Sequence, residues 1–374
     1  MPSNPLRQLQ DFGQSIWLDY IRRDLVAGPE LTRLIAEDGV RGMTSNPAIF
    51  EKAIVSSTGY DAEIRSLAAG GANPVQIYEK LSQDDVRSAA DAFAALHRSS
   101  GGGDGFVSLE VNPHLARDTQ GSLEEARRLW AALARPNVLI KVPATPEGLP
   151  AIRALAEEGI SVNVTLIFGL ERYRQVAEAW ISGLEARAAR GGSLQGVASV
   201  ASFFISRIDA MVDPLLGAAS AKGGRHAELA ATCRGQVAIA SAKEAYQEYK
   251  LLFGGPRFAA LAGKGAKPQR LLWASTSTKN PEDSDVKYVE ALIGPDTVNT
   301  APLETINAYR DHGHPQARLE SGLDQARTVL AGLRELGVDL DAVAVRLEAE
   351  GVAKFNQPFD QLMAALAQRS AAKA

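Results

Sequence analysis

Asn137-Val-Leu-Ile-Lys-Val-Pro-Ala-Thr145 has the pattern of a buried β-strand with one lysine inside it. Side chains alternate between the two faces of a strand, so Lys141 shares a face with Leu139 and Pro143. An ammonium group among apolar residues is costly to bury unless it is paired or neutralised. Its neutral form is an amine nucleophile, which Schiff-base chemistry requires. The alternative is a lysine with a buried stem and a charge that reaches solvent at the strand end, and this strand alone leaves both open.

Seven further runs of strand type surround this one, and they begin near Ser15, Val40, Phe106, Ser161, Val197, Arg270 and Thr297. Helical patterns separate them, which predicts parallel β/α units. Several runs have one apolar face and one face with polar residues near the C-terminal end. An open sheet covered by helices on both faces would be apolar throughout, whereas a closed barrel keeps polar groups inside it, near the C-terminal ends of its strands. We therefore predict an α/β fold, an eight-stranded parallel (β/α)8 TIM barrel with extra helices.

Local patterns give further expectations. In the run Ser161–Phe168, Val162, Val164 and Leu166 should form the apolar face. A helix should begin at Ser122, three residues before Glu125, in the manner of a capping box. We expect one domain over residues 1–374, with helical insertions at about 57–100 and 225–265 and a helical C-terminal tail at about 319–374.

Composition excludes several classes of protein. Apolar residues are 45% and charged residues 22% of the 374 residues, values typical of a globular protein. The net charge of −4 lacks the excess of basic residues that is typical of a nucleic-acid-binding protein. The single cysteine, Cys233, excludes a disulfide framework and a cysteine-based metal cluster. We find neither a signal pattern at Met1–Pro5 nor an apolar run of about 18 residues, so we expect a cytoplasmic protein without membrane association.

Polar residues on the inward face of six strands form a coherent set, namely Asp19, Asn46, Glu110, Lys141, Asn163, Thr165 and Ser202. A lysine can supply a nucleophile, carboxylates can act as general acids and bases, and amides and hydroxyls can orient a polyhydroxylated ligand. Taken singly, each such residue could instead satisfy backbone groups, cap a helix or pair with a charge. Their shared face favours a site.

The remaining motifs concern metal and phosphate. The five histidines show no zinc-ligand spacing, and no Gly-x-Ser-x-Gly elbow occurs, so we expect no metal, no cofactor and no serine-hydrolase chemistry. Arg207 and Lys279 follow the sixth and seventh strands, where barrels often bind phosphate. Basic residues at such positions can also be simply solvated.

Several of these motifs resemble those of the transaldolase family, specifically its longer bacterial type. The similar segments are Thr44–Pro47, Val107–Val111, Val138–Thr145, Val162–Thr165 and Ser202–Arg207. The resemblance extends from about Gln14 to Arg310 in the family's order, and the lysine strand and Thr44-Ser-Asn-Pro47 are its most specific parts.

The resemblance implies that Lys141 attacks the ketone of sedoheptulose 7-phosphate or fructose 6-phosphate. Asp19 would take the C4 hydroxyl proton, and Glu110 would assist Schiff-base formation and hydrolysis through a water. The resemblance implies supporting roles for the others: Asn46 and Asn163 hold hydroxyls, Thr165 positions the water or the acid–base pair, Phe204 shapes the pocket, and Ser202, Arg207 and a basic residue after strand seven bind phosphate. The dihydroxyacetone unit would pass to erythrose 4-phosphate or glyceraldehyde 3-phosphate, in the pentose phosphate pathway.

One departure concerns the phosphate site. Shorter members of the family have an arginine after strand seven, whereas this chain has Ser275-Thr-Ser-Thr-Lys279. A lysine binds phosphate as a point charge and lacks the bidentate fork of arginine. Two alternatives to a transaldolase stay open, a Schiff-base aldolase that releases dihydroxyacetone to water and a catalytically silent barrel that only binds ligands. The sequence also leaves open a homo-oligomer.

Overall fold

Eight parallel strands close into a barrel in the computed structural model, which describes residues 4–371. The strands are β1 Gln14–Asp19, β2 Gly42–Thr44, β3 Phe106–Glu110, β4 Val138–Pro143, β5 Val162–Ile167, β6 Ser199–Phe204, β7 Arg270–Ala274 and β8 Thr297–Ala301. Each pairs with the next in chain order, and β8 pairs with β1 to close the barrel. The predicted (β/α)8 barrel is confirmed, and every strand begins within two residues of its expected start.

Helices surround the barrel and cover its C-terminal end. They are α1 Pro5–Gln8, α2 Arg23–Ala27, α3 Pro29–Ala36, α4 Pro47–Val55, α5 Asp61–Ala69, α6 Pro74–Ser99, α7 Thr119–Leu133, α8 Gly148–Glu158, α9 Leu170–Ala189, α10 Ser206–Ser220, α11 Gly224–Cys233, α12 Val237–Gly254, α13 Pro256–Ala262, α14 Lys287–Ala291, α15 Leu303–His312, α16 Leu323–Glu335 and α17 Leu340–Ala371. Gly159 ends α8 with φ of 83°, a left-handed conformation that glycine adopts without strain.

Two local expectations are wrong. The helix expected at Ser122 begins at Thr119, because the Asp118 side chain accepts a hydrogen bond from the Gly121 amide and caps the helix one turn earlier. The Ser122 hydroxyl instead donates to the Leu115 carbonyl.

The alternation expected in β5 also fails, at Leu166. Its φ is 62°, and the register to β6 shifts between Val164 and Ile167. This bulge removes Leu166 from the face shared by Val162 and Val164, directly beside Thr165.

The main core lies between the barrel and its helices, where Trp17, Trp180 and Trp273 are fully buried. The C-terminal helix α17 crosses the molecule and contacts α4, α5 and α6. Among residues 4–371, no helix combines the length and apolar character needed to cross a membrane. Residues 1–3 of the N-terminal stretch and 372–374 of the expected tail lie outside the described residues.

Candidate active site

A cavity of about 560 Å³ opens at the C-terminal ends of the strands. Eight of the ten residues singled out from the sequence line it: Asp19, Asn46, Lys141, Thr165, Ser202, Phe204, Arg207 and Lys279. The other two, Glu110 and Asn163, are buried just beneath, where Glu110 contacts Lys141 and Asn163 contacts Ser202. The structure therefore brings the ten residues together at the end of the barrel where enzymes of this fold hold their active sites.

Lys141 lies inside the barrel and is only 4% exposed. Its Nζ donates a hydrogen bond to the Ser45 carbonyl oxygen at 3.2 Å and lies 3.2 Å from Oε2 of Glu110. The Glu110 contact is an ion pair without hydrogen-bond geometry, and neither Glu110 oxygen has a hydrogen-bond partner within residues 4–371. The lysine points inward as predicted, so the alternative of a charge reaching solvent at the strand end is wrong.

Two carboxyl groups, those of Glu110 and Asp19, lie close enough to Lys141 for its charge to affect their pKa values. Burial raises the pKa of Glu110, although the charge of Lys141 acts in the opposite direction. Burial also raises the pKa of Asp19, which lies at the cavity floor, against the opposing effects of Lys141 and of a hydrogen bond from Thr44. Carboxyl groups with raised pKa values are suited to exchange protons near neutral pH.

Asp19 is oriented by a chain of hydroxyl groups. The Thr44 hydroxyl donates to Oδ1 of Asp19 at 2.6 Å, and the Thr300 hydroxyl lies 2.7 Å from that of Thr44. Since Thr44 donates to Asp19, Thr300 donates to Thr44. This series of hydrogen bonds fixes one oxygen of the Asp19 carboxylate and leaves the other oxygen free of that constraint.

A second chain of hydrogen bonds runs beneath the cavity. Asn163 Nδ2 donates to the Ser108 hydroxyl at 3.0 Å, and the Ser202 hydroxyl donates to Asn163 Oδ1 at 2.7 Å. The hydroxyl of Thr165, fully buried on the same strand as Asn163, has no partner within the described range 4–371. Thr165 is therefore the hydroxyl in this group that remains available to a ligand or a water.

Cations gather on the β6–β7 side of the cavity. Nη1 of Arg207 is buried without a hydrogen-bond partner in the described part of the chain, and the guanidinium lies 5.3 Å from the Phe204 ring centre. Lys279 donates to the Ser277 hydroxyl at 2.8 Å at the exposed rim. Burial lowers the pKa of Arg207, and partial burial followed by the charge of Arg207 lowers the pKa of Lys279. An anion between them would relieve both effects.

The sequence reasoning missed several cavity residues, among them Tyr20, Ser275, Thr300, Glu304 and Phe355. Thr300 could have been found, since it is a polar residue near the C-terminal end of β8. Phe355 gives no such signal, because it lies in a helix far along the chain and looks like an ordinary core residue.

Comparison with known proteins identifies the family of this chain. The family model described as Transaldolase/Fructose-6-phosphate aldolase matches residues 16–366. A protein named Transaldolase from Trichodesmium erythraeum is 46% identical over 374 residues, which cover 99% of this chain and 98% of that protein. Transaldolase 2 from a Nostoc species is 47% identical over 98% of this chain and 97% of its own length, and Transaldolase from Thiobacillus denitrificans is 47% identical over 96% and 99%. The chain is thus an enzyme that belongs to the transaldolase/fructose-6-phosphate aldolase family.

Proposed function

We propose that the enzyme transfers a dihydroxyacetone unit from a ketose phosphate, fructose 6-phosphate or sedoheptulose 7-phosphate, to an aldose phosphate through a Schiff base on Lys141. The observation that carries the proposal is the inward ammonium of Lys141, 4% exposed, between Glu110 and the cavity floor where Asp19 lies. The names of the relatives support the overall reaction, and the site chemistry supports its steps.

The first step requires a free amine and a proton acceptor beside it. Glu110, at 3.2 Å from Nζ, can take the proton of Lys141, and its raised pKa favours that transfer. The amine then adds to the C2 carbonyl of the ketose, and loss of water gives the imine. Thr165, whose hydroxyl lacks a protein partner among residues 4–371, can hold the water that leaves.

The second step breaks the C3–C4 bond. Asp19 removes the proton of the C4 hydroxyl, the electron pair of the broken bond moves toward the imine nitrogen, and an aldose phosphate leaves. The remaining three-carbon enamine attacks the aldehyde carbon of the acceptor, whose oxygen takes the proton back from Asp19. The Thr44–Thr300 chain supports this role, because it orients Asp19 for both transfers.

The ligand's other groups have candidate partners along the walls. Asn46 in the cavity wall and Asn163 beneath the cavity are suited to the hydroxyls of the retained unit. Arg207 and Lys279 are suited to the phosphate, with Ser202 and the Phe204 ring beside them. Both donor and acceptor have one phosphate, so one anion site serves both halves of the reaction. We further propose that the enzyme acts in the pentose phosphate pathway and in the cytoplasm.

The test compares fructose 6-phosphate cleavage with and without erythrose 4-phosphate. A transaldolase forms sedoheptulose 7-phosphate and glyceraldehyde 3-phosphate together, and it cleaves little donor when the acceptor is absent. Free dihydroxyacetone released at the same rate in both conditions would identify a Schiff-base aldolase instead. No cleavage of either kind, with a folded enzyme, would favour a silent binding barrel.

A further inference from the structure

Phe355 on α17 covers the lysine from outside the barrel. It is 4% exposed and lines the cavity, and its ring centre lies 5.5 Å from Lys141 Nζ. A cation at this distance over an aromatic face is attracted by the ring. The same ring limits the space through which solvent could reach the nitrogen.

The helix that carries this ring is tied to the barrel along its length. Glu348 pairs with Arg172 at 3.2 Å, and Asp360 contacts His114 at 2.7 Å. Near the end of the helix, Arg369 donates to the carbonyls of Ile54 and Val55, at 2.9 and 2.7 Å. These contacts come before and after Phe355, so they hold the ring in place from both sides.

Gly351, one turn before the ring, lies where α17 packs closely against the β5 bulge. A Cβ at this position would lie 2.9 Å from Cδ2 of Leu166 and 3.5 Å from the Phe168 ring. Leu166 is the residue with φ of 62° in the β5 bulge, next to Thr165. A non-glycine residue in this conformation costs free energy, and such residues concentrate at functional sites. The bulge and the glycine together let α17 approach the cavity.

We infer that Phe355 is a specificity-determining residue that keeps bulk water from the three-carbon adduct on Lys141, so that the adduct passes to an aldose and is not hydrolysed. This inference rests on the proposed function. The enamine has two fates. Its carbon can attack an aldehyde, or it can take a proton, after which water adds to C2 of the imine and the C–N bond breaks. The second fate returns the Lys141 amine and releases dihydroxyacetone.

The ring need not impede the productive reaction. Final release of the product ketose also consumes a water, but the water lost when the donor imine formed can serve if Thr165 and Glu110 retain it. A shield that excludes further solvent therefore slows hydrolysis of the waiting three-carbon adduct more than it slows transfer. We expect the ratio of dihydroxyacetone release to transfer to depend on the size of the side chain at position 355.

The experiment measures that ratio in the full-length enzyme with Phe355→Ala and Phe355→Leu. The rate of dihydroxyacetone release from fructose 6-phosphate alone is divided by the rate of sedoheptulose 7-phosphate formation with erythrose 4-phosphate. Both rates come from one preparation, so the ratio is independent of the fraction that is folded. We expect it to rise roughly tenfold in Phe355→Ala, the scale of a lost apolar contact in a pocket, and less in Phe355→Leu.

Phe359→Ala is the matched control. Phe359 lies one turn later on α17, is equally buried at 4%, and packs against Tyr78 and His114 outside the cavity. Its substitution removes a ring outside the cavity, while the Glu348–Arg172 pair and the Arg369 hydrogen bonds still hold Phe355 in place, so the ratio should stay unchanged. An unchanged ratio in Phe355→Ala, or an equal rise in Phe359→Ala, would overturn the role of Phe355 while leaving the transaldolase intact. If the native enzyme forms no covalent adduct with fructose 6-phosphate, the proposed function fails, and this inference fails with it.

Discussion

At the N-terminal end of the barrel Asp104 is bound by two arginines, whereas at the C-terminal end Glu110 faces one lysine. Arg41 reaches one Asp104 oxygen at 2.6 Å and Arg270 reaches the other at 3.0 Å, both with hydrogen-bond geometry. Glu110 lies 3.2 Å from Lys141 Nζ and forms no hydrogen bond with any residue in the range 4–371. Burial also leaves Thr165 Oγ1 and Arg207 Nη1 without partners among those residues.

The difference reflects what each end must do. Paired charges at the N-terminal end of the barrel, its lower end, contribute stability, as expected for that face of this fold. Unpaired groups at the upper end cost stability, and proteins retain such costs at functional sites. Among residues 4–371, the charged side chains with buried atoms that lack a hydrogen-bond partner are Glu110, Glu147 and Arg207, and two of these three belong to the site.

The largest effect is expected at the upper end, for Asp19→Asn. The amide keeps the shape of the carboxyl and can still accept the Thr44 hydrogen bond, but it cannot remove the C4 proton. Turnover should fall about 10²–10⁴-fold, the usual contribution of a general base. Borohydride trapping should then retain the intact six-carbon sugar, where the native enzyme traps mainly the three-carbon fragment. A trapped three-carbon fragment in the variant would transfer the role of cleavage base to Glu110.

The lower end should respond in stability and not in turnover. Asp104→Ala leaves Arg41 and Arg270 without their carboxylate, so the free energy of unfolding should fall by about 3 kcal/mol, the lower end of the range for a broken buried pair. The exposed pair Asp91–Arg135 is a matched control, since Asp91→Ala should cost less than about 1 kcal/mol. Urea unfolding measures both values. A loss of turnover per folded molecule in Asp104→Ala would break the division between the two ends.

A third buried carboxyl group lies outside the cavity, so its titration should affect stability and not turnover. Asp209 on α10 is buried outside the cavity, accepts hydrogen bonds from the Ala238 amide and the Tyr288 hydroxyl, and has its pKa raised by burial to about 6. Its protonation therefore stabilises the fold fully below pH 3.8, and that contribution is lost as the pH rises through about 6.

Asp209→Asn should remove this dependence. Between about pH 4 and 7, the free energy of unfolding of the native enzyme should fall relative to the variant by roughly 2–3 kcal/mol. Turnover should stay unchanged, because Asp209 does not line the cavity. Parallel stability curves for the two proteins would contradict the raised pKa.

The smallest effect concerns the cations. Arg207→Ala should weaken the binding of phosphorylated substrates about tenfold or more, since a charge-assisted contact contributes about 1.5–3 kcal/mol. The binding of unphosphorylated donors and acceptors should change far less. The same comparison for Lys279→Ala tests whether a rim lysine contributes as a point charge. An equal loss for both substrate classes would assign Arg207 a structural role.

Periodicity alone predicted much of this architecture, because strand alternation depends only on neighbouring residues. It assigned Lys141 to the inward face and gathered seven polar site residues at one end of the barrel, whereas Phe204 came from the family resemblance. It could not predict the bulge at Leu166, since a positive φ at a leucine has no signature in strand alternation, or the cap at Asp118, which competes with Ser122. Phe355 was missed for a related reason. Its contact with Lys141 joins residues far apart in the chain, and only the docking of α17 creates it.

The central claim is that the unpaired upper end of the barrel exists to form a covalent bond through Lys141. The most direct measurement is the intact mass of the enzyme after incubation with fructose 6-phosphate and borohydride, followed by peptide mapping. We predict a mass increase for one reduced three-carbon unit, on the peptide that contains Lys141, and no increase in Lys141→Ala. An unmodified native enzyme, or an adduct that persists in Lys141→Ala, would contradict the account.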